Sequence, residues 1–129
     1  MYFHVPVLLE EVIKIASPKK GENLIDGTIG GGSHSEEFLK KISPDGKLLG
    51  IDLDDEALIE SKRKLEKYSN RVILEKGNFV DFPELIEKHN FYPINIFFLD
   101  LGISSQQLNS DTIGISFLKN APLDMRIGG

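Results

Sequence analysis

Cysteine is absent from this sequence of 129 residues, and so is any excess of positive charge. Without cysteine there is no disulfide framework and no thiolate zinc site, which suits a reducing compartment. A formal charge of −5 argues against a protein that grips nucleic acid over its whole face, so any such contact must be local. Long apolar runs are missing too, and nothing approaches the ~20 residues of a membrane span. The N-terminus, MYFHVPVLLEEV, has no basic region ahead of an apolar stretch; Pro6 breaks it and Glu10 makes it acidic. It is therefore not read as a secretory signal, and the expectation is a soluble cytoplasmic protein with no membrane partner. Internal repeats and low-complexity tracts are also absent. The length suits one domain with one core.

What is present is an alternation of short apolar runs and amphipathic stretches. Residues 7–16, VLLEEVIKIA, place Leu8, Leu9, Val12, Ile13 and Ala16 on one helical face, with Pro6 at its start and Pro18 and Gly21 past its end. NLID (23–26), KLLGID (47–52), RVILEKG (71–77) and INIFFLD (94–100) read as strands, and the spacing predicts helices over about 33–42, 54–68 and 82–89 between them. The near-continuous apolarity of the last strand points to burial on both faces. Strands alternating with helices across short links predict parallel pairing and right-handed crossovers, hence an open, doubly wound α/β sheet. After Asp100 the pattern fades, and residues 103–129 read as an irregular tail. Irregular stretches of that length in compact domains are often functional.

In open α/β sheets, ligands bind beyond the C-terminal strand ends. The stretch DGTIGGGSHSEEF (26–38) lies there, with four glycines within six positions. Asp52 closes the second strand, Asn78 and Phe79 follow the third, and Asp100 closes the fourth. Carboxylates are costly to bury unless each meets a donor, and three on one edge point to a ligand site. Asp52 lies 20–22 residues beyond Gly30–Gly32, the separation at which dinucleotide folds keep the acid that holds a ribose diol. An adenosine-type ligand follows. The loop does not suit NAD: Ser35 replaces the third glycine of G-x-G-x-x-G, and no Gly-Lys-Ser/Thr of a P-loop follows. Asp26, directly ahead of the glycines, would sit badly beside a pyrophosphate and well beside an ammonium. S-adenosylmethionine (SAM) has a ribose, an amino acid end and no phosphate, so it fits better. The one dense basic run, SKRKLEK (61–67), reads most simply as a solvated helix face, with phosphate contact as the other reading.

HVPVLLEEV (4–12), DGTIGGGSHS (26–35), GIDLDDEAL (50–58), GNF (77–79), LDLGISSQQL (99–108) and GISFLKNAPLDMR (114–126) occur in one order. Together they resemble the MraW/RsmH family, bacterial methyltransferases of cytosine N4 in small-subunit ribosomal RNA. The resemblance implies a Rossmann-like class I SAM-dependent methyltransferase fold. It also implies that SAM is held at the positions of Gly32, Ser33, His34, Asp52, Phe79, Asp100 and Gln107, beside the loop residues Asp26 and Gly30 inferred above. Phe79 lies against the adenine or serves as a core phenylalanine. Ser33 stands where the family usually has glycine, and Gln106 where it commonly has proline.

Members of that family are about twice as long, and this chain matches their N-terminal part: four strands, in the order 3-2-1-4, of a sheet that normally has seven. The tail at 103–129 is where the family's helical RNA-holding insertion begins. The fourth strand is then left with an open edge, expected to be covered by the tail or by a second copy of the chain in a homodimer. The implied partner is the small ribosomal subunit. Asp100 is the candidate acceptor for the cytosine amine, or else touches only SAM; His4 and His34 are proton carriers or structural. The rival functions are a non-catalytic SAM-binding remnant and another Rossmann-type nucleotide-binding module.

Overall fold

The computed structural model describes residues 6–101 and 114–119, with side-chain surroundings from residue 11 to residue 100. His4, Gln107 and the tail apart from residues 114–119 lie outside the described residues. The order is α1 (Pro6–Ala16), β1 (Leu24–Asp26), α2 (Ser33–Ile42), β2 (Leu48–Asp52), α3 (Asp55–Lys64), β3 (Val72–Lys76), α4 (Phe82–His89), β4 (Ile96–Leu101) and β5 (Gly114–Lys119). Short 3-10 turns at Glu66–Arg71 and Phe79–Asp81 flank β3. The sheet order is β3-β2-β1-β4-β5. Its first four strands pair in parallel, as the alternation of strands and helices predicts.

Alternation along the strands splits the core between two faces. Leu24, Leu48, Ile96 and Phe98 point to the side where Val12, Ala16, Phe38, Leu39, Ile42 and Leu65 pack, so this face carries α1, α2 and the end of α3. Ile25, Leu49, Ile51 and Phe97 point the other way, toward Ile86 and Phe91 at α4. Helices thus cover both faces of parallel strands, the arrangement that needs strands apolar on both sides.

Local chemistry sets the helix ends. Asp54 caps α3 by accepting from Glu56 N at 3.0 Å, and Lys62, Arg63 and Lys64 occupy its last turn, where the helix dipole favours cations. The helix expected over 54–68 divides: α3 stops at Lys64, and Ser69 and Asn70, weak helix formers, continue in a 3-10 turn. The basic run is mostly a solvated face, as the sequence suggests: Lys62, Arg63 and Lys67 are exposed. Arg63 pairs with Glu60, and Lys64 Nζ donates to Ser33 Oγ at 2.9 Å. Among the described residues no helix is long and apolar enough to cross a membrane.

The tail departs from the irregular reading. Gly114–Lys119 forms β5, antiparallel to β4, with Ile96 opposite Lys119 and Leu101 opposite Gly114. Glycine and serine within GISFLK blur its strand signature, but the unpaired N–H and C=O groups along β4 reward any extended segment that can reach them. Of the two expected covers for that edge, the tail supplies it. A homodimer formed through the 94–100 edge would need the position that β5 holds.

Candidate active site

Parallel pairing brings the C-terminal ends of β1, β2, β3 and β4 to one rim. Asp26, Asp52 and Asp100 close three of them, and the turn with Phe79 follows the fourth. The loop after β1 is fixed from several sides. Gly30 and Gly32 have φ of 54° and 90°, in the left-handed region that a side chain disfavours. Gly27 is flush with its neighbours: a Cβ there would lie 2.5 Å from Leu99 Cδ2 and 2.9 Å from Phe79 Cβ. The same contact seats Phe79 directly against the start of the loop. Gly27→Ala is therefore expected to cost about 1–3 kcal/mol of stability through overpacking, checked by urea unfolding.

Asp52 joins the loop to α3. Its Oδ2 accepts from Gly30 N at 2.8 Å and its Oδ1 from Asp54 N at 2.9 Å. A carboxylate offers about four acceptor positions, so two backbone bonds orient the group and leave capacity for a diol. Ser61, fully buried on α3, donates to Gly30 O at 2.5 Å and grips the loop from below.

His34 and Asp100 meet across the rim. His34 Nδ1 lies 3.9 Å from Asp100 Oδ2, and each side chain is only 10% exposed. The His34 ring rests on Phe98, with centroids 5.1 Å apart. Ser33 and His34 begin α2, whose N-cap, Gly32, offers no side-chain cap. The first N–H groups of that helix form an electropositive end suited to a carboxylate.

Asp26 behaves differently from its neighbours. It is fully buried, with Oδ2 accepting from Ser35 Oγ at 2.7 Å and Oδ1 from Thr28 N at 3.2 Å. Burial pushes its pKa up to about 7; the bonds from Ser35 and Thr28 oppose the rise, and the nearby Asp100 and Asp52 add to it. Where an ammonium contact is expected at Asp26, the structure shows an internal brace: the buried carboxylate is held by Ser35, in the first turn of α2.

The structure therefore gathers Gly30, Gly32, Ser33, His34, Asp52, Phe79 and Asp100 along one rim and withdraws Asp26 beneath it. Sequence reasoning passed over Thr28, Ser61, Leu53 and Val80. The last two are apolar yet 63% and 59% exposed, each next in the chain to Asp52 or Phe79. The donor set fits a molecule with a ribose diol, a carboxylate and positive charge.

A rim of this kind on a doubly wound parallel sheet defines the Rossmann-like fold of SAM-dependent methyltransferases. The fold matches that of a putative rRNA-methylase from Clostridium thermocellum, with TM-score 0.60 and 22% identity over 80% of this chain and 54% of that one. It also matches a protein-L-isoaspartate O-methyltransferase, with TM-score 0.60 and 19% identity over 76% of this chain and 30% of the other. The chain belongs to the MraW methylase family, whose profile matches residues 1–128. Curated relatives named ribosomal RNA small subunit methyltransferase H include one from Syntrophobacter fumaroxidans, 41% identical over 124 residues. Another, from Clostridium botulinum strain Okra, is 43% identical over 124 residues. These alignments take in 96% of this chain but only 39% and 40% of the relatives' lengths, a smaller share than the half expected from the sequence. The cofactor that goes with this family is S-adenosylmethionine.

Proposed function

We propose that this chain forms the cofactor-binding part of a methyltransferase that acts on the N4 amine of a cytidine in small-subunit ribosomal RNA. The observation that carries the reading is Asp52. Its carboxylate is oriented by Gly30 N and Asp54 N at the edge of a glycine loop, on the same rim as the His34–Asp100 pair. In this reading Asp52 takes the ribose hydroxyls, and Phe79 lies against the adenine between Leu53 and Val80. The start of α2 at Gly32, Ser33 and His34 receives the amino acid end, with Gln107 completing the set. SAM supplies an electrophilic methyl carbon.

The protein's own part is alignment and charge. An exocyclic cytosine amine is a weak nucleophile because its lone pair is delocalised into the ring. It gains reactivity when held in line and when an acceptor takes hydrogen bonds from it as positive charge develops. Asp100 is that acceptor, and His34 beside it keeps the carboxylate aimed at the rim. The family membership and the names of the curated relatives support RNA of the small subunit as the substrate.

Asp52→Ala is expected to weaken SAM binding about thirtyfold, roughly 2 kcal/mol for loss of a charged acceptor, read by calorimetry. Unchanged affinity would remove the ribose assignment. Transfer of labelled methyl from SAM to small ribosomal subunits tests the reaction. SAM binding without transfer would identify the chain as a binding module.

A further inference from the structure

We propose that Thr28 is a positioning residue: it sets the register of Asp100 against the cofactor through the main chain, without touching the ligand. This rests on the reading of the rim given above.

The argument begins with the sheet. β1 and β4 pair in parallel from Leu24 opposite Ile96 to Asp26 opposite Phe98. The ladder then loses its partner, because the chain after β1 turns away into the glycine loop. Gly27 N still donates to Phe98 O at 2.9 Å. The next group of β4 on that side is Asp100 N. The Thr28 hydroxyl takes the place of the missing ladder carbonyl and accepts from Asp100 N at 2.7 Å. A β-branched residue is stiff at χ1, so threonine holds that oxygen with little rotational freedom.

Thr28 is itself held. Its N–H donates to buried Asp26, which accepts from Ser35 at the start of α2, and Ser35 follows His34 in the chain. His34 Nδ1 faces Asp100 Oδ2 at 3.9 Å. The contacts close on themselves: Asp26 to Thr28, Thr28 to Asp100, Asp100 to His34, and from His34 through Ser35 back to Asp26. This circuit couples β1, β4 and α2, which carry the acid and the histidine that frame the transferred group. Asp26 and Ser35 are both 0% exposed, so the circuit is anchored inside the protein and reaches the rim at its Asp100 and His34 end.

The test compares Thr28→Val, which keeps the shape and loses the acceptor, with Thr28→Ser, which keeps the acceptor. T28V is expected to weaken SAM binding about tenfold and to speed amide exchange at Asp100 about tenfold or more, while T28S stays within about threefold of the parent on both. In an Asp100→Ala background, T28V is expected to add no further loss of affinity, because the group it positions is gone. Rescue by serine together with this non-additivity would not arise from general loosening of the fold.

Parent, T28V and T28S binding SAM alike would overturn the positioning role and leave the assignment of the rim intact. If the parent chain itself fails to bind SAM, the assignment of the rim fails and the cofactor role of Thr28 fails with it; unchanged Asp100 exchange in T28V would remove the circuit as well. Should T28V not fold, Ser35→Ala cuts the same circuit at α2 and carries the same expectations.

Discussion

Between pH 5 and pH 8 the melting temperature is expected to fall by about 10 °C, and the fall is expected to disappear in Asp26→Asn. Asp26 has no exposure, and its carboxyl titrates near 7 in the folded protein instead of near 3.8, with burial as the largest cause. The folded state therefore holds this proton more tightly than the unfolded chain does. The resulting stabilisation is complete below the unfolded value, shrinks as pH rises, and is lost once pH has passed through the folded value near 7. Above that pH the protein carries a buried negative charge close to Asp100 and Asp52, and a few kcal/mol are lost across the window.

Asparagine reproduces the neutral form. Its Oδ1 can accept from Thr28 N and its Nδ2 can donate to Ser35 Oγ, so both bonds of Asp26 have counterparts. The variant should match the parent at pH 5 and exceed it at pH 8. Glu75, whose pKa is held down by bonds from Lys88 and His89, loses its contribution as pH falls below the ordinary carboxylate range, outside this window. Melting curves of both proteins in steps of one pH unit decide the matter; parallel slopes would remove Asp26 as the source.

Phe98→Ala is expected to lower the unfolding free energy by about 3–5 kcal/mol, measured by urea titration. Phe98 is 0% exposed on β4, between the Phe38 ring at 5.3 Å and the His34 ring at 5.1 Å. Truncation leaves a void in the larger of the two core clusters and removes the surface on which His34 lies. Loss of stability should thus come with weaker SAM binding under conditions where the variant is still folded. A variant that binds SAM like the parent would show that His34 does not depend on this support.

Much of this was legible in the sequence because apolar periodicity and link length control the sheet. INIFFLD could be read as doubly buried, and Ile96, Phe97 and Phe98 do face alternate cores. The acids at the strand ends could be placed on one rim by topology alone. Their direction could not. Asp26 looked like its neighbours, yet its partner Ser35 shares the inward stripe with Phe38, Leu39 and Ile42. A polar residue on an apolar stripe is the signal that a buried group awaits it. Ser61 gives the same signal beside Leu58 and Leu65, and its partner is the carbonyl of Gly30. β5 was hidden for another reason: its drive to pair lies in the exposed edge of β4, not in its own composition.

The bonds that Asp52 and Ser61 make to Gly30 have a consequence for how a visitor is received. A loop so rich in glycine loses unusual conformational freedom when it becomes fixed. Here two side chains from separate elements restrain it during folding, so little of that loss is left to weigh against association. Docking against this loop should then proceed as an encounter with a finished surface, at a speed set by diffusion and orientation and with no slow ordering of the loop itself.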